Sequence, residues 1–143
     1  MKLSLNDYKI TAEYPVHWGD MDAAKHVNNL VYLRWTESGR LLYFQAMNMD
    51  TSFHEVGPIL GWQDCKYIFP MTYPDIAIVG ARTIEIKTDR IMMETAVFSK
   101  KHQRIAAISK QSIIPYNYAE LKKAVLPASW RQEIERIEKR VDF

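Results

Sequence analysis

Apolar residues recur along this chain with two periods. From residue 29 to 48 the spacing is helical. Leu30, Leu33, Leu41 and Phe44 approximate one face, and Val31, Trp35, Leu42, Ala46 and Met49 fill another. A helix that is apolar on most sides is buried on most sides. Asn28 stands in front of it as an N-cap, because its side chain accepts from an unpaired backbone N–H. Ser38 and Gly39 fall mid-helix, where glycine costs ~1 kcal/mol against alanine. Small residues there predict another element passing close.

Elsewhere the period is two. Residues 7 to 18 carry Tyr, Ile, Thr and Val in rough alternation and read as a strand, with Pro15 favouring an edge or a bulge. Four more runs follow at 58 to 69, 75 to 88, 91 to 100 and 104 to 114. In the second, Ile84 and Ile86 alternate with Glu85 and Lys87, the period of a half-buried strand. The connections at 88 to 90 and 100 to 103 are short, so these runs form antiparallel hairpins. The tail starts a second helix with Pro127 at its first position and a stripe of Trp130, Ile134, Ile137 and Val141. The order is strand, long buried helix, four strands, short helix. One five-stranded antiparallel sheet wrapped around the central helix satisfies it, an α+β architecture. The sheet edge and the other helix faces need cover, which a second copy supplies.

Composition narrows the setting. The chain has 143 residues, which reads as a single domain over 1–143. A chain near this length buries roughly 70% of its unfolded surface and needs no staples. Cys65 is the only cysteine, so no internal disulfide forms, which fits a reducing, cytoplasmic setting. It lies in an apolar run and reads as a packing residue. The first ten residues lack the apolar stretch of a signal peptide, and no run is long enough to span a bilayer. The formal net charge of +2 is too small to argue for nucleic acid. It still suits steering of a small anion.

The chemistry concentrates at "GDMDAAKHVNN", residues 19 to 29, just ahead of the long helix. A helix N-terminus presents unpaired N–H groups and the positive end of the dipole. It receives an anion, including one that forms only during a reaction. A carboxylate held nearby attacks a carbonyl carbon or deprotonates a water that does. The amides of Asn29 and Leu30 are then the oxyanion donors. The bland alternative is that Asp20 and Asp22 are caps or solvated loop residues and Asn28 a plain N-cap. His17, His54 and His102 are scattered without metal-ligand spacing. No G-x-S-x-G, P-loop or dinucleotide fingerprint occurs.

"WGDMDAAKHVNNLVYLRWTESGR" resembles the signature of hotdog-fold thioesterases of the 4-hydroxybenzoyl-CoA thioesterase-like group. The match falls on Asp20, Asp22, His26, Val27, Asn28, Asn29, Tyr32, Glu37 and Arg40. "HVNN" also resembles the acyl-carrier-protein thioesterases of that fold. The usual Y-G-D after the second strand reads Tyr73, Pro74, Asp75 here.

The resemblance implies a hotdog fold and hydrolysis of an acyl-CoA or acyl-carrier-protein thioester to a free acid and a thiol. Asp22 takes the position of the catalytic carboxylate, as base or nucleophile, and the Asn29 N–H that of the oxyanion donor. His26 and Asn28 shape the loop or touch the thioester. Arg90 and Lys87, on one hairpin turn, are the candidates for coenzyme A phosphates. Glu37 and Arg40 are expected to form a mutual ion pair. No metal and no cofactor are implied, coenzyme A being part of the substrate. The site lies at a homodimer interface, and a dimer of dimers is the next assembly. Two rivals stand beside this reading. One is an enoyl-thioester hydratase of the same fold, which uses an Asp and His pair in a different motif. The other is an acyl-thioester-binding protein without turnover.

Overall fold

The computed structural model describes residues 3–49 and 52–143. Met1, Lys2, Asp50 and Thr51, which belong to the expected 1–143 domain, lie outside the described residues. In chain order the elements are β1 (Ile10–Pro15), α1 (Asn29–Ala46), β2 (Val56–Gln63), β3 (Lys66–Tyr67), β4 (Ile76–Ile86), β5 (Ile91–Ser99), β6 (Arg104–Asn117), β7 (Lys122–Lys123) and α2 (Ala128–Glu138). They form one antiparallel sheet in the order β1-β4-β5-β6-β2, with the two-residue strands β3 and β7 also paired to β6. The sheet curls around α1, the expected α+β hotdog arrangement.

Helix α1 follows its pattern closely. Asn28 caps it, its Oδ1 accepting from the Leu30 N–H at 2.9 Å. Gly39 is where the sheet passes: a Cβ there would stand 2.8 Å from Val79 Cγ1 and 3.8 Å from the Ala81 Cβ. The buried face runs through Val31, Tyr32, Trp35, Thr36, Gly39, Arg40, Tyr43 and Phe44. Leu30 and Leu41 are exposed, so burial is one-sided within a single chain. The sheet curls around only part of the helix.

The core divides along the helix. Its first half packs Val31, Tyr32 and Trp35 on Val79, Val97, Ala106 and Met71. Its second half packs Tyr43, Phe44 and Met47 on Ile91, Met93 and Ile113, under Trp130, Ile134 and Ile137 of α2. Helix start and β5–β6 turn therefore share one end of the molecule, and the β4–β5 turn shares the other with the helix end.

Three details depart from the pattern. The run 58 to 69 is broken at Asp64 and Cys65 into β2 and β3. A bulge lies between Leu60 and Trp62, and beyond it the Asp64 N–H donates to the Lys110 carbonyl at 3.1 Å while the Asp64 carboxylate accepts the Lys110 N–H at 2.8 Å. Pro127 is the N-cap of α2 rather than its first residue. Val141 is exposed beyond the helix, which Lys139 closes in the left-handed conformation with φ 55°. Helix α2 is tied to the core by Glu138, whose Oε2 accepts from the Tyr43 hydroxyl at 2.6 Å and the Thr83 N–H at 3.0 Å. The β4 irregularity between Thr83 and Glu85 lies beside that N–H.

Candidate active site

The loop from β1 to α1 is built backwards from a buried carboxylate. A 3₁₀ turn at Trp18–Asp20 follows β1 and points Asp20 inward, where it is 8% exposed. Its Oδ2 accepts from the His17 N–H at 2.8 Å and its Oδ1 from Arg34 Nη2 at 3.1 Å. Its own carbonyl accepts from the Asn28 N–H at 2.9 Å. One residue therefore ties the strand exit to the helix entry. Between these ties, Met21 pairs with Val27 as an isolated antiparallel bridge. The Asp22 N–H donates to the His26 carbonyl at 3.1 Å, and the Lys25 N–H donates to the Asp22 carbonyl at 2.9 Å. Lys25 makes the turn at φ 62°. The Val27 N–H donates to the Met71 carbonyl at 2.9 Å, pinning the loop to the sheet side.

This framework leaves Asp22 outward. One carboxylate oxygen accepts the Ala24 N–H at 2.9 Å, and the side chain is exposed. His26 and Asn29 are exposed as well, and Asn28 is half-buried. The loop thus brings Asp22, His26, Asn28 and Asn29 to the helix start. Of the two amides expected as oxyanion donors, Leu30 is already taken by the Asn28 side chain. The Asn29 N–H meets no acceptor among the described residues, so it alone is free to receive one.

A cavity of about 320 Å³ opens at this point, lined by Val27, Asn29, Tyr32, Tyr67, Ile68 and Phe69 with Pro70. Tyr67 reaches it from β3 and places its hydroxyl 3.3 Å from the Asn29 carbonyl. Its ring meets that of Tyr32 edge-on at 5.5 Å, and Tyr32 meets Trp35 in the same way at 5.5 Å. The Tyr32 hydroxyl accepts from the Met71 N–H at 2.9 Å and donates to the Phe69 carbonyl at 3.4 Å. Burial pushes the Tyr32 phenol pKa up, so it stays neutral at physiological pH. Tyr67 is the functional candidate that sequence reasoning missed. Its only signal was membership of an apolar run, and its partner Asn29 is far away in sequence.

Other expected residues lie elsewhere. Lys87 and Arg90 sit on the β4–β5 turn, at the end of the molecule opposite the helix start. The 18-residue α1 alone spans roughly 27 Å. Arg90 is gripped by Asp89 through bonds of 3.1 and 3.0 Å. Within one chain these two cations do not join Asp22. The expected Glu37–Arg40 ion pair does not form. Arg40 is 6% exposed with Nη1 unpartnered, whereas Glu37 is on the exposed face. Burial lowers the Arg40 pKa, opposed by the nearby Glu37 charge. Among the described residues no three His, Cys, Asp or Glu side chains cluster to hold a metal ion. Among them, too, no helix is long and apolar enough to cross a membrane.

A curled antiparallel sheet around one long helix, with a carboxylate loop feeding the helix start, defines the hotdog class. The family model of the Thioesterase-like superfamily matches residues 16–134, and the chain belongs to that family of thioester hydrolases. A thioesterase from Thermus thermophilus, complexed with coenzyme A and Zn, is 25% identical with a TM-score of 0.83, over 95% of this chain and 99% of that one. The PA2801 protein of Pseudomonas aeruginosa is 26% identical with a TM-score of 0.80, over 89% and 98%. A 1,4-dihydroxy-2-naphthoyl-CoA thioesterase from Synechocystis shares the fold at 18% identity and a TM-score of 0.76, over 87% and 94%. No curated protein sequence matches the chain.

The loop geometry predicts unequal costs for its two charged partners. Asp20→Ala strips a buried acceptor from the His17 N–H and Arg34, and destabilises by about 1–3 kcal/mol. Arg34 is 62% exposed, so Arg34→Ala costs less than about 1 kcal/mol. Urea unfolding of both variants checks this. Equal losses would show that the ion pair, rather than the backbone cap, holds the loop.

Proposed function

We propose that this chain hydrolyses an acyl thioester of coenzyme A or of an acyl-carrier protein to a free acid and a thiol. The observation that carries the reading is the uncapped N–H of Asn29 at the start of α1, a residue that lines the cavity beside the Asp22 loop. The thioester carbonyl oxygen points at Asn29, where negative charge develops in the tetrahedral state. As general base, Asp22 takes a proton from water while the water oxygen bonds to the carbonyl carbon. The intermediate collapses, the C–S bond breaks, and the thiolate leaves and takes up a proton. As nucleophile, the Asp22 carboxylate bonds to the carbonyl carbon, the C–S bond breaks with release of the thiolate, and water then opens the resulting anhydride to the free acid and restores the carboxylate. Both routes need a carboxylate held before the helix start. His26 and Asn28 shape the loop, His26 through the carbonyl that accepts from the Asp22 N–H and Asn28 through the cap that leaves Asn29 free.

The coenzyme A in the Thermus thermophilus relative supports that thiol carrier. In this reading Arg90 and Lys87 contact its phosphates from a second copy, since they lie far from Asp22 in their own chain. A homodimer is the working unit, and a dimer of dimers the next assembly. The exposed apolar residues on the edge strand β2, Ile59, Leu60 and Trp62, and the exposed Leu30 and Leu41 of α1 support that assembly. The single, free cysteine fits a cytoplasmic setting.

Asp22→Asn tests the chemistry. The change is nearly isosteric at an exposed site, so the fold persists. General-base help is worth ~10²–10⁴-fold, and hydrolysis of an acyl-CoA panel, followed by thiol release, falls by that order. Activity equal to wild type removes Asp22 from the mechanism. Arg90→Ala is expected to raise KM for acyl-CoA several-fold, with kcat little changed. An acyl thioester of a small phosphate-free thiol should be unaffected. Equal losses on both substrates would make Arg90 structural.

A further inference from the structure

Oxyanion holes combine backbone N–H groups with side-chain donors, tyrosine among them. At the start of α1 the Asn28 side chain takes the Leu30 N–H and leaves the backbone of Asn29 as a single donor. The cavity that Asn29 lines carries two hydroxyls, those of Tyr32 and Tyr67. They differ in how firmly they are engaged. The Tyr32 hydroxyl accepts from the Met71 N–H at 2.9 Å and donates to the Phe69 carbonyl at 3.4 Å. The Tyr67 hydroxyl donates to the Asn29 carbonyl at 3.3 Å, long against the usual O–H···O length of about 2.7–2.8 Å. That carbonyl belongs to α1, where its regular partner is the N–H four residues on. Giving up the Tyr67 bond therefore strands neither group.

The Tyr67 ring is placed without being enclosed. Its backbone pairs with Ala107 of β6. One side of the ring meets Tyr32 edge-on at 5.5 Å, and Tyr32 is itself fixed by its two hydrogen bonds. Tyr67 is 46% exposed, which leaves the side chain room to turn. The Cys65 thiol also neighbours the hydroxyl, but sulfur is a weak acceptor. Burial pushes the Tyr67 phenol pKa up, and Cys65 adds to the rise, so the hydroxyl carries its proton at neutral pH.

We propose that Tyr67 is the second oxyanion donor: with substrate bound, its hydroxyl turns from the Asn29 carbonyl to the thioester oxygen that the Asn29 N–H receives. Catalytic hydrogen bonds are often long in the absence of substrate and tighten with it. The phenol transfers no proton. It donates while negative charge is on the oxygen, and collapse of the tetrahedral state returns the electron pair to the carbonyl as the C–S bond breaks. This role rests on the thioesterase reading and adds a residue to it.

Tyr67→Phe keeps the ring and its contact with Tyr32 and removes the hydroxyl alone. With benzoyl-CoA, an aryl thioester matched to a cavity walled by Tyr32, Tyr67 and Phe69, kcat should fall on the order of 10²-fold. KM and the thermal midpoint should stay as in wild type. Infrared spectroscopy separates direct contact from a structural role. The probe is the ketone analogue of benzoyl-CoA, with methylene in place of the thioester sulfur and an isotopic label at the carbonyl. Its carbonyl stretch should move to lower frequency on wild type and move less on Tyr67→Phe. No downshift on wild type, or an equal one on the variant, overturns the proposal, as does a variant that raises KM alone. Wild-type kcat in Tyr67→Phe beside an inactive Asp22→Asn overturns it too, and leaves the thioesterase reading standing. A stretch difference without hydrolysis of any acyl-CoA would remove that reading and leave the Tyr67 contact to the carbonyl in place.

Discussion

The buried carboxylate of Asp20 is the contact on which the site depends. A chain leaving an edge strand has to cross the end of the sheet and enter a helix without filling the helix's own donors. Asp20 fixes both ends of that crossing, by accepting from His17 with its side chain and from Asn28 with its carbonyl. Burial makes such a group costly to leave unpaired, so the loop has one low-energy form. Asp22, two residues on, is exposed. The first aspartate of this D-x-D is taken up in holding the loop, and the second stands where the proposed chemistry needs a carboxylate.

The N-cap adds the second half of the arrangement. An asparagine cap satisfies one orphan N–H and leaves its neighbours to other partners. Here the Asn28 side chain takes Leu30 and spares Asn29. Tyr32, Tyr67 and Phe69 form an aromatic wall of the cavity that Asn29 also lines. A small, mostly apolar cavity raises the worth of each hydrogen bond aimed into it.

Much of this was legible in the sequence because the signals were local. The limits of α1 follow from an Asn cap and a 3.6-residue period, and the hairpins follow from alternation and short turns. What the sequence hid was set by distant partners. The break at Asp64 depends on Lys110 of β6, and the placing of Tyr67 over Asn29 depends on how β3 meets the helix start. Glu37 and Arg40 have ion-pair spacing, yet the curl of the sheet buries one and exposes the other. Leu30 and Leu41 belong to the helical apolar pattern, yet both are exposed. Spacing shows that a face is apolar, not what covers it.

In the proposed chemistry the Asn29 N–H receives the oxyanion while Asp22 addresses the carbonyl carbon. A crystal structure with an acyl-coenzyme A analogue, its thioester sulfur replaced by methylene, tests this directly. The carbonyl oxygen is expected about 2.7–3.1 Å from the Asn29 nitrogen, with the Asp22 carboxylate facing the carbonyl carbon or a water held against it. A carbonyl oxygen bound to another donor, with Asp22 turned away toward Ala24 alone, would contradict it.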